Sequence, residues 1–129
     1  MNKRILLTGA ILGLLSVILG AFAAHALKEQ LSIDSLASFN TGVRYQMYHA
    51  LFLLAVAHCT FISVKAKKIL MIITLLGVIL FSGSIYLLST KAMHAIDFSS
   101  IGFITPIGGL FLIIAWVLLI FNVLKSRSE

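Results

Sequence analysis

Charge is scarce in this 129-residue chain: Asp, Glu, Lys and Arg make up 11% of it, against 60% hydrophobic residues and a mean hydropathy of +1.11. Soluble domains carry about 25% charged residues, so a water-soluble globule is excluded. The chain has one cysteine, Cys59, which rules out an intramolecular disulfide or a cysteine-based metal knuckle and leaves a small apolar filler. It also has one proline, Pro106, placed where a helix begins rather than within one. Carboxylates are limited to Glu29, Asp34, Asp97 and Glu129, none of which interrupts a long apolar run.

What fills the chain instead is four such runs, Ile5–Ala24, Val43–Val64, Ile69–Leu88 and Ile101–Leu124. Each is long enough to cross ~30 Å of hydrocarbon at ~1.5 Å per residue. Only two tails and three short connections remain, too little for an extramembrane domain. The expected fold is therefore a single all-α membrane domain over residues 1–129, a four-transmembrane-helix bundle. Lys3-Arg4 followed by an apolar run and Ala24-His25-Ala26 imitates a cleavable signal, but the run exceeds the ~7–15 residues of a signal h-region. A permanent first helix is expected.

The net charge of +6 is segregated. Lys3 and Arg4, then Lys65, Lys67 and Lys68, then Lys125 and Arg127 fall on one side of the membrane, whereas Lys28, Arg44 and Lys91 share the other with Glu29, Asp34 and Asp97. The positive-inside rule then puts both termini in the cytoplasm. The basic excess is a topology signal and a means of gripping anionic lipid headgroups. No nucleic-acid-binding module accompanies it.

Small residues recur at helical spacing on the first span, Gly9 and Gly13 on one line and Ser16, Gly20 and Ala24 on another. Such lines permit close backbone approach in lipid and suggest that this helix is central. Residues 32–39 place Ile33, Leu36 and Ala37 on one side with Ser32 as N-cap. They read as a short interfacial helix on the outer face, the alternative being a plain polar loop. Lys65–Lys68 is expected to be a tight connection between the second and third helices. Thr105 can cap the fourth helix, with Pro106 in its first position. An offset of 64 residues lays Gly13 on Gly77, which would suit a parallel repeat.

This topology carries the polar residues to one depth. His25 ends the first helix on the outer side; Arg44, Tyr45, Gln46, Tyr48 and His49 lie in the outer half of the second; Ser82, Ser84 and Tyr86 lie in that of the third; Thr105 opens the fourth. Uncompensated, each polar group in hydrocarbon costs several kcal/mol, so a polar cluster is expected in the outer half. The fourth helix's free amides, with Arg44 and His25, would suit an anion or lipid headgroup there. Duller roles stay open: Arg44 snorkelling or pairing with Asp34 or Asp97, the tyrosines forming an aromatic belt, and His49 bonded between helices. Its expected partners are Ser82, Tyr86 and Thr105. The four histidines lack metal-ligand spacing, and no nucleophile with base and acid can be assembled. No enzyme activity, metal or cofactor is expected.

Four segments carry a resemblance: Gly20-Ala21-Phe22-Ala23-Ala24-His25-Ala26-Leu27, Phe39 to Leu51 with Arg44-Tyr45-Gln46-Met47-Tyr48-His49 at its heart, Phe81-Ser82-Gly83-Ser84-Ile85-Tyr86, and Thr105-Pro106-Ile107-Gly108-Gly109. In this order they resemble the signature blocks of a membrane protein family catalogued as domain of unknown function 423, related to eukaryotic transmembrane protein 256. Ala23 and Ala115 depart from it, standing where glycine is expected. The resemblance implies a four-helix protein of the bacterial cytoplasmic membrane and supplies no reaction or catalytic residue. The expected function is nonenzymatic, the binding of a lipid headgroup or a partner protein through the outer polar cluster. Membrane lipids are the expected partners, with a second copy of the chain or another membrane protein beside them. A small oligomeric transporter or channel is the alternative.

Cysteine scanning on a Cys59→Ala background checks the topology. Ser35 and Ser99 should label from outside and Lys67 only after permeabilisation; outside labelling of the lysine segment reverses the orientation.

Overall fold

The computed structural model describes residues 2–93 and 99–126; His94, Asp97 and Arg127 lie outside them. All regular elements among the described residues are helical. Helix α1 is Asn2–His25 and α2 is Ile33–His58. Helix α3, Val64–Val78, continues through a wider π turn, Ile79–Gly83, into α4, Ser84–Ser89. Helix α5 is Ile104–Leu124. Three helices are long and apolar enough to cross a membrane: α1, the continuous Val64–Ser89 helix and α5. Helix α2 has 26 residues, but Asp34, Arg44, Gln46 and His49 make it less apolar.

Two boundaries depart from the sequence reading. The expected short helix at 32–39 is the beginning of α2 itself. Ser32 caps it by accepting from the Ser35 amide at 3.1 Å, and the helix runs unbroken from Ala37 to Val43, with the Thr41 hydroxyl donating to the Ala37 carbonyl at 3.1 Å. Similarly, Lys65–Lys68 is not a connection but the first turns of α3. The chain turns at residues 59–63 instead, where Ser63 accepts from the Ala66 amide at 3.1 Å and sets the helix start. Lys67 is buried there, donating to Asn2 Oδ1 at 3.0 Å and the Ala57 carbonyl at 3.2 Å. One ammonium thus ties the start of α1, the end of α2 and the start of α3 at the end of the bundle that holds both described chain ends. Lys65 and Lys68 are exposed and serve better than Lys67 as labelling positions.

Helix α2, not α1, is central: it packs on α1, α3, the π turn and α4, whereas α1 packs chiefly on α2. Gly9, Gly13, Ser16 and Gly20 of the small-residue lines serve that one contact, whereas Ala24 is exposed. A Cβ at Gly9 would lie 2.9 Å from the Ala50 carbonyl oxygen, so the two backbones nearly touch. On the other side α3 and the π turn pack on α5, where a Cβ at Gly77 would meet Leu112 Cδ2 at 2.6 Å. Gly13, its partner at the 64-residue offset, is looser, 3.7 Å from Ala50 Cβ. The larger apolar core runs through Ile5, Leu53, Val56, Leu70 and Ala115, and a smaller one joins Ala23, Leu27, Leu31 and Phe39. Leu14, Val17, Ile113, Val117 and Ile120 are each more than half exposed. An apolar exterior around buried polar groups is the arrangement that lipid demands.

Two substitutions test this packing by thermal melting in detergent. Thr74 Oγ1 is buried without a hydrogen-bond partner, so Thr74→Val should be neutral or stabilising by up to about 1–3 kcal/mol. At Gly108 a Cβ would come within 2.6 Å of the Leu80 carbonyl carbon. Gly108→Ala should therefore cost ~1–3 kcal/mol by prising α5 from the π turn, while Gly83→Ala, with nothing within 4 Å, should be tolerated.

Candidate functional site

The polar residues of α2 alternate between its buried and exposed sides, which divides the expected cluster. Gln46 and His49 are buried; Arg44, Tyr45 and Tyr48 are exposed. Facing α1 and α4, Gln46 Nε2 donates to the Leu12 carbonyl at 2.9 Å, and its Oε1 accepts from the Tyr86 hydroxyl at 2.6 Å. The Tyr86 ring lies over Gly42, where a Cβ would be 2.8 Å from Cε1, and stacks at 4.9 Å on Phe39. Ser82 donates to the Gly42 carbonyl at 2.7 Å and Ser16 to the Val43 carbonyl at 2.8 Å. This layer sits where the two apolar cores meet.

His49 has a different partner from those expected. Ser82 and Tyr86 are committed as above, and Thr105 pairs with Ser84; His49 reaches across to α5, where Trp116 Nε1 donates to Nε2 at 3.0 Å. Its Nδ1 lies 2.7 Å from the Tyr45 carbonyl. A carbonyl only accepts and an indole N–H only donates, so His49 is the neutral tautomer carrying hydrogen on Nδ1. The Trp116 ring also packs on buried Phe52 at 4.6 Å. Both ring nitrogens are therefore used within the protein.

The remaining expected residues lie apart. His25 is exposed at the end of α1. Arg44 Nη2 donates to Thr41 Oγ1 at 3.2 Å, and Asp97, one of its expected partners, lies outside the described residues. Thr105 does not cap α5: Phe103 precedes the helix without a side-chain cap, and the threonine hydroxyl turns to Ser84 because that bond satisfies two hydroxyls at once. Arg44 thus bonds within its own helix and His25 stands exposed at the end of α1. Among the described residues no three His, Cys, Asp or Glu side chains gather as a metal site.

What the structure does assemble is a lateral groove of about 310 Å³ between α2 and α5, lined by Tyr45, His49, Phe81, Gly109, Ile113 and Trp116 among others. Tyr45 packs on Phe81 at 5.1 Å and on Tyr48 at 5.4 Å. The His49 and Trp116 ring nitrogens in the groove wall are already bonded within the protein, so the groove offers a mainly aromatic and apolar channel whose polar side chain at the rim is the exposed Tyr45. Trp116 is a groove residue that sequence reasoning missed, whereas Phe81 stands only in a signature segment and is not expected at a site. In the fold Gly108, Leu112 and Ala115 form the buried line of α5 with Trp116 at its edge, and a helix apolar all round gives no sequence signal for that line.

A family model described as "Protein of unknown function (DUF423)" matches residues 19–109, a range that includes every expected site residue but not Trp116. The chain is similar to a UPF0382 membrane protein of Haemophilus influenzae, 39% identical over 99% of both chains. It is similar to the UPF0382 membrane protein YwdK of Bacillus subtilis, 40% identical over 95% of this chain and 98% of the relative. It is also similar to the UPF0382 inner membrane protein YgdD of Escherichia coli, 32% identical over 99% and 95%. No solved structure matches.

A double-mutant cycle on His49→Leu and Trp116→Phe measures the interhelical bond. Each single change should lower stability, with a coupling of about 0.5–1.5 kcal/mol; strictly additive losses mean that the contact contributes nothing.

Proposed function

The chain belongs to the DUF423 family of membrane proteins, and from that premise we propose that it crosses the bacterial cytoplasmic membrane four times, with both termini inside, and holds a lipid without catalysis. Three observations support a crossing by α2. At ~1.5 Å per residue its 26 residues exceed the ~30 Å hydrocarbon layer. It is flanked by α1 on one side and α3 and α4 on the other. Gln46 and His49 face protein partners, as intramembrane polar groups must. The segregation of Lys3, Arg4, Lys65, Lys68 and Lys125 to one end supports termini in the cytoplasm.

The observation that carries the lipid reading is the groove between α2 and α5. An acyl chain suits its aromatic and apolar walls, and the exposed Arg44 and Tyr48, one turn from each other on the side of α2 that adjoins the Tyr45 and His49 line, stand where an outer-leaflet headgroup would rest. The interior polar groups Gln46, Ser82 and Tyr86 bond within the protein, which supports binding at the surface of the bundle over an aqueous path through it.

Native mass spectrometry of gently purified protein tests the reading. Wild type should retain a phospholipid through mild detergent exchange. Gly109→Leu, whose Cβ meets only ordinary contacts with the Phe81 ring at 3.5 and 3.6 Å, should fill the groove and abolish retention while leaving the melting temperature close to wild type. Arg44→Gln should weaken retention. Equal retention by wild type and Gly109→Leu defeats the proposal.

A further inference from the structure

A second groove, of about 300 Å³, lies at the other end of the bundle between the start of α3 and the end of α5. Its walls are apolar in part, with Ile69 on α3 and Leu118 and Phe121 on α5, and Ser63 adds a polar group where α3 begins. Its mouth is cationic: Lys65 comes from α3, and Lys125 follows α5 with Nζ 5.4 Å from the Phe121 ring centroid. The ammonium is thus folded towards the groove wall. Asn122 also lines the groove; one amide hydrogen goes to the Leu118 carbonyl at 2.8 Å, and a primary amide has a second to donate. The carboxylates among the described residues, Glu29 and Asp34, lie at the opposite end, in the connection before α2 and its first turn.

We propose that this groove binds an anionic glycerophospholipid, its phosphodiester held between Lys65 and Lys125 and an acyl chain lying along Ile69, Leu118 and Phe121. Charge complementarity selects the class of occupant. Two lysines unopposed by a nearby described carboxylate favour a net negative headgroup over a zwitterionic one, whose cationic end they repel. The apolar walls select a lipid over a free anion, because a small anion leaves them uncovered. The geometry also differs from that of the α2 and α5 groove, whose lining among the described residues includes no lysine or arginine. This site therefore stands without the reading given above.

The test titrates full-length protein in mild detergent with phosphatidylglycerol or phosphatidylcholine of the same acyl chains, counting bound lipids by native mass spectrometry. Wild type should favour phosphatidylglycerol. The pair Lys65→Gln and Lys125→Gln should lose on the order of tenfold of that preference, with unchanged melting because both side chains are exposed. Lys65→Arg with Lys125→Arg should keep it, as should Lys3→Gln with Arg4→Gln on α1, which carry equal charge at the same end but outside the groove. Phosphatidylglycerol should also stay bound in millimolar inorganic phosphate. The proposal is overturned if the glutamine pair retains the preference, if the α1 pair loses as much, or if phosphate displaces the lipid. Gly109→Leu should leave this preference untouched, so failure at either groove is distinguishable from failure at the other.

Discussion

Gln46 is held from two sides, donating to the Leu12 carbonyl of α1 and accepting from the Tyr86 hydroxyl of α4. A primary amide deep in an apolar bundle has no solvent to fall back on, and an unsatisfied group there costs several kcal/mol. The position of α2 follows from that constraint. To bury Gln46 with both partners, α2 must lie between α1 and α4. That in turn brings Ser16 to the Val43 carbonyl and Ser82 to the Gly42 carbonyl. Apolar packing on either side is nondirectional and would accept several registers; the amide accepts far fewer.

Close backbone approach is the second condition. Lipid gives helices no hydrophobic reason to associate, so packing depends on intimate contact and on hydrogen bonds. Gly9 lets α1 settle on Ala50, Gly42 lets Tyr86 reach across α2, and Gly77 and Gly108 seat α5 against α3 and the π turn. The hydrogen bonds and the glycines are interdependent: with a methyl at Gly42, the ring of Tyr86 could not lie where its hydroxyl meets Gln46.

Much of this was legible in the sequence. Composition and run length reveal the helices because hydrocarbon thickness sets their size, and Ser32 announces the start of a helix by its short acceptor side chain. The true extent of α2 was hidden because Asp34, Asn40 and Arg44 interrupt its hydropathy without interrupting its hydrogen bonding. Lys67 looked like a topology charge because position in sequence does not disclose burial. The pairing of His49 with Trp116 was equally hidden: helical spacing identifies the side of a helix on which a residue lies, but not the residue opposite it on a helix 67 positions away. Two positions apart, Gln46 and Arg44 stand about 200° from each other around a helix, yet their polarity suggested one shared site where the fold makes a buried layer and an exposed surface.

The π turn at Ile79–Gly83 gives one helix two different addresses. A π turn accommodates about one extra residue, which advances everything after it by ~100° of helical phase. Before it, Gly77 meets Leu112 on α5; within it, the Phe81 backbone receives Gly108; beyond it, Tyr86 meets Gln46 and Gly42 on α2. A regular helix would keep a single stripe turned towards a single neighbour. The extra residue acts as a swivel, letting a single continuous rod turn Gly77 to α5 and Tyr86 to α2, so that two helical hairpins are fastened together without an additional segment of chain.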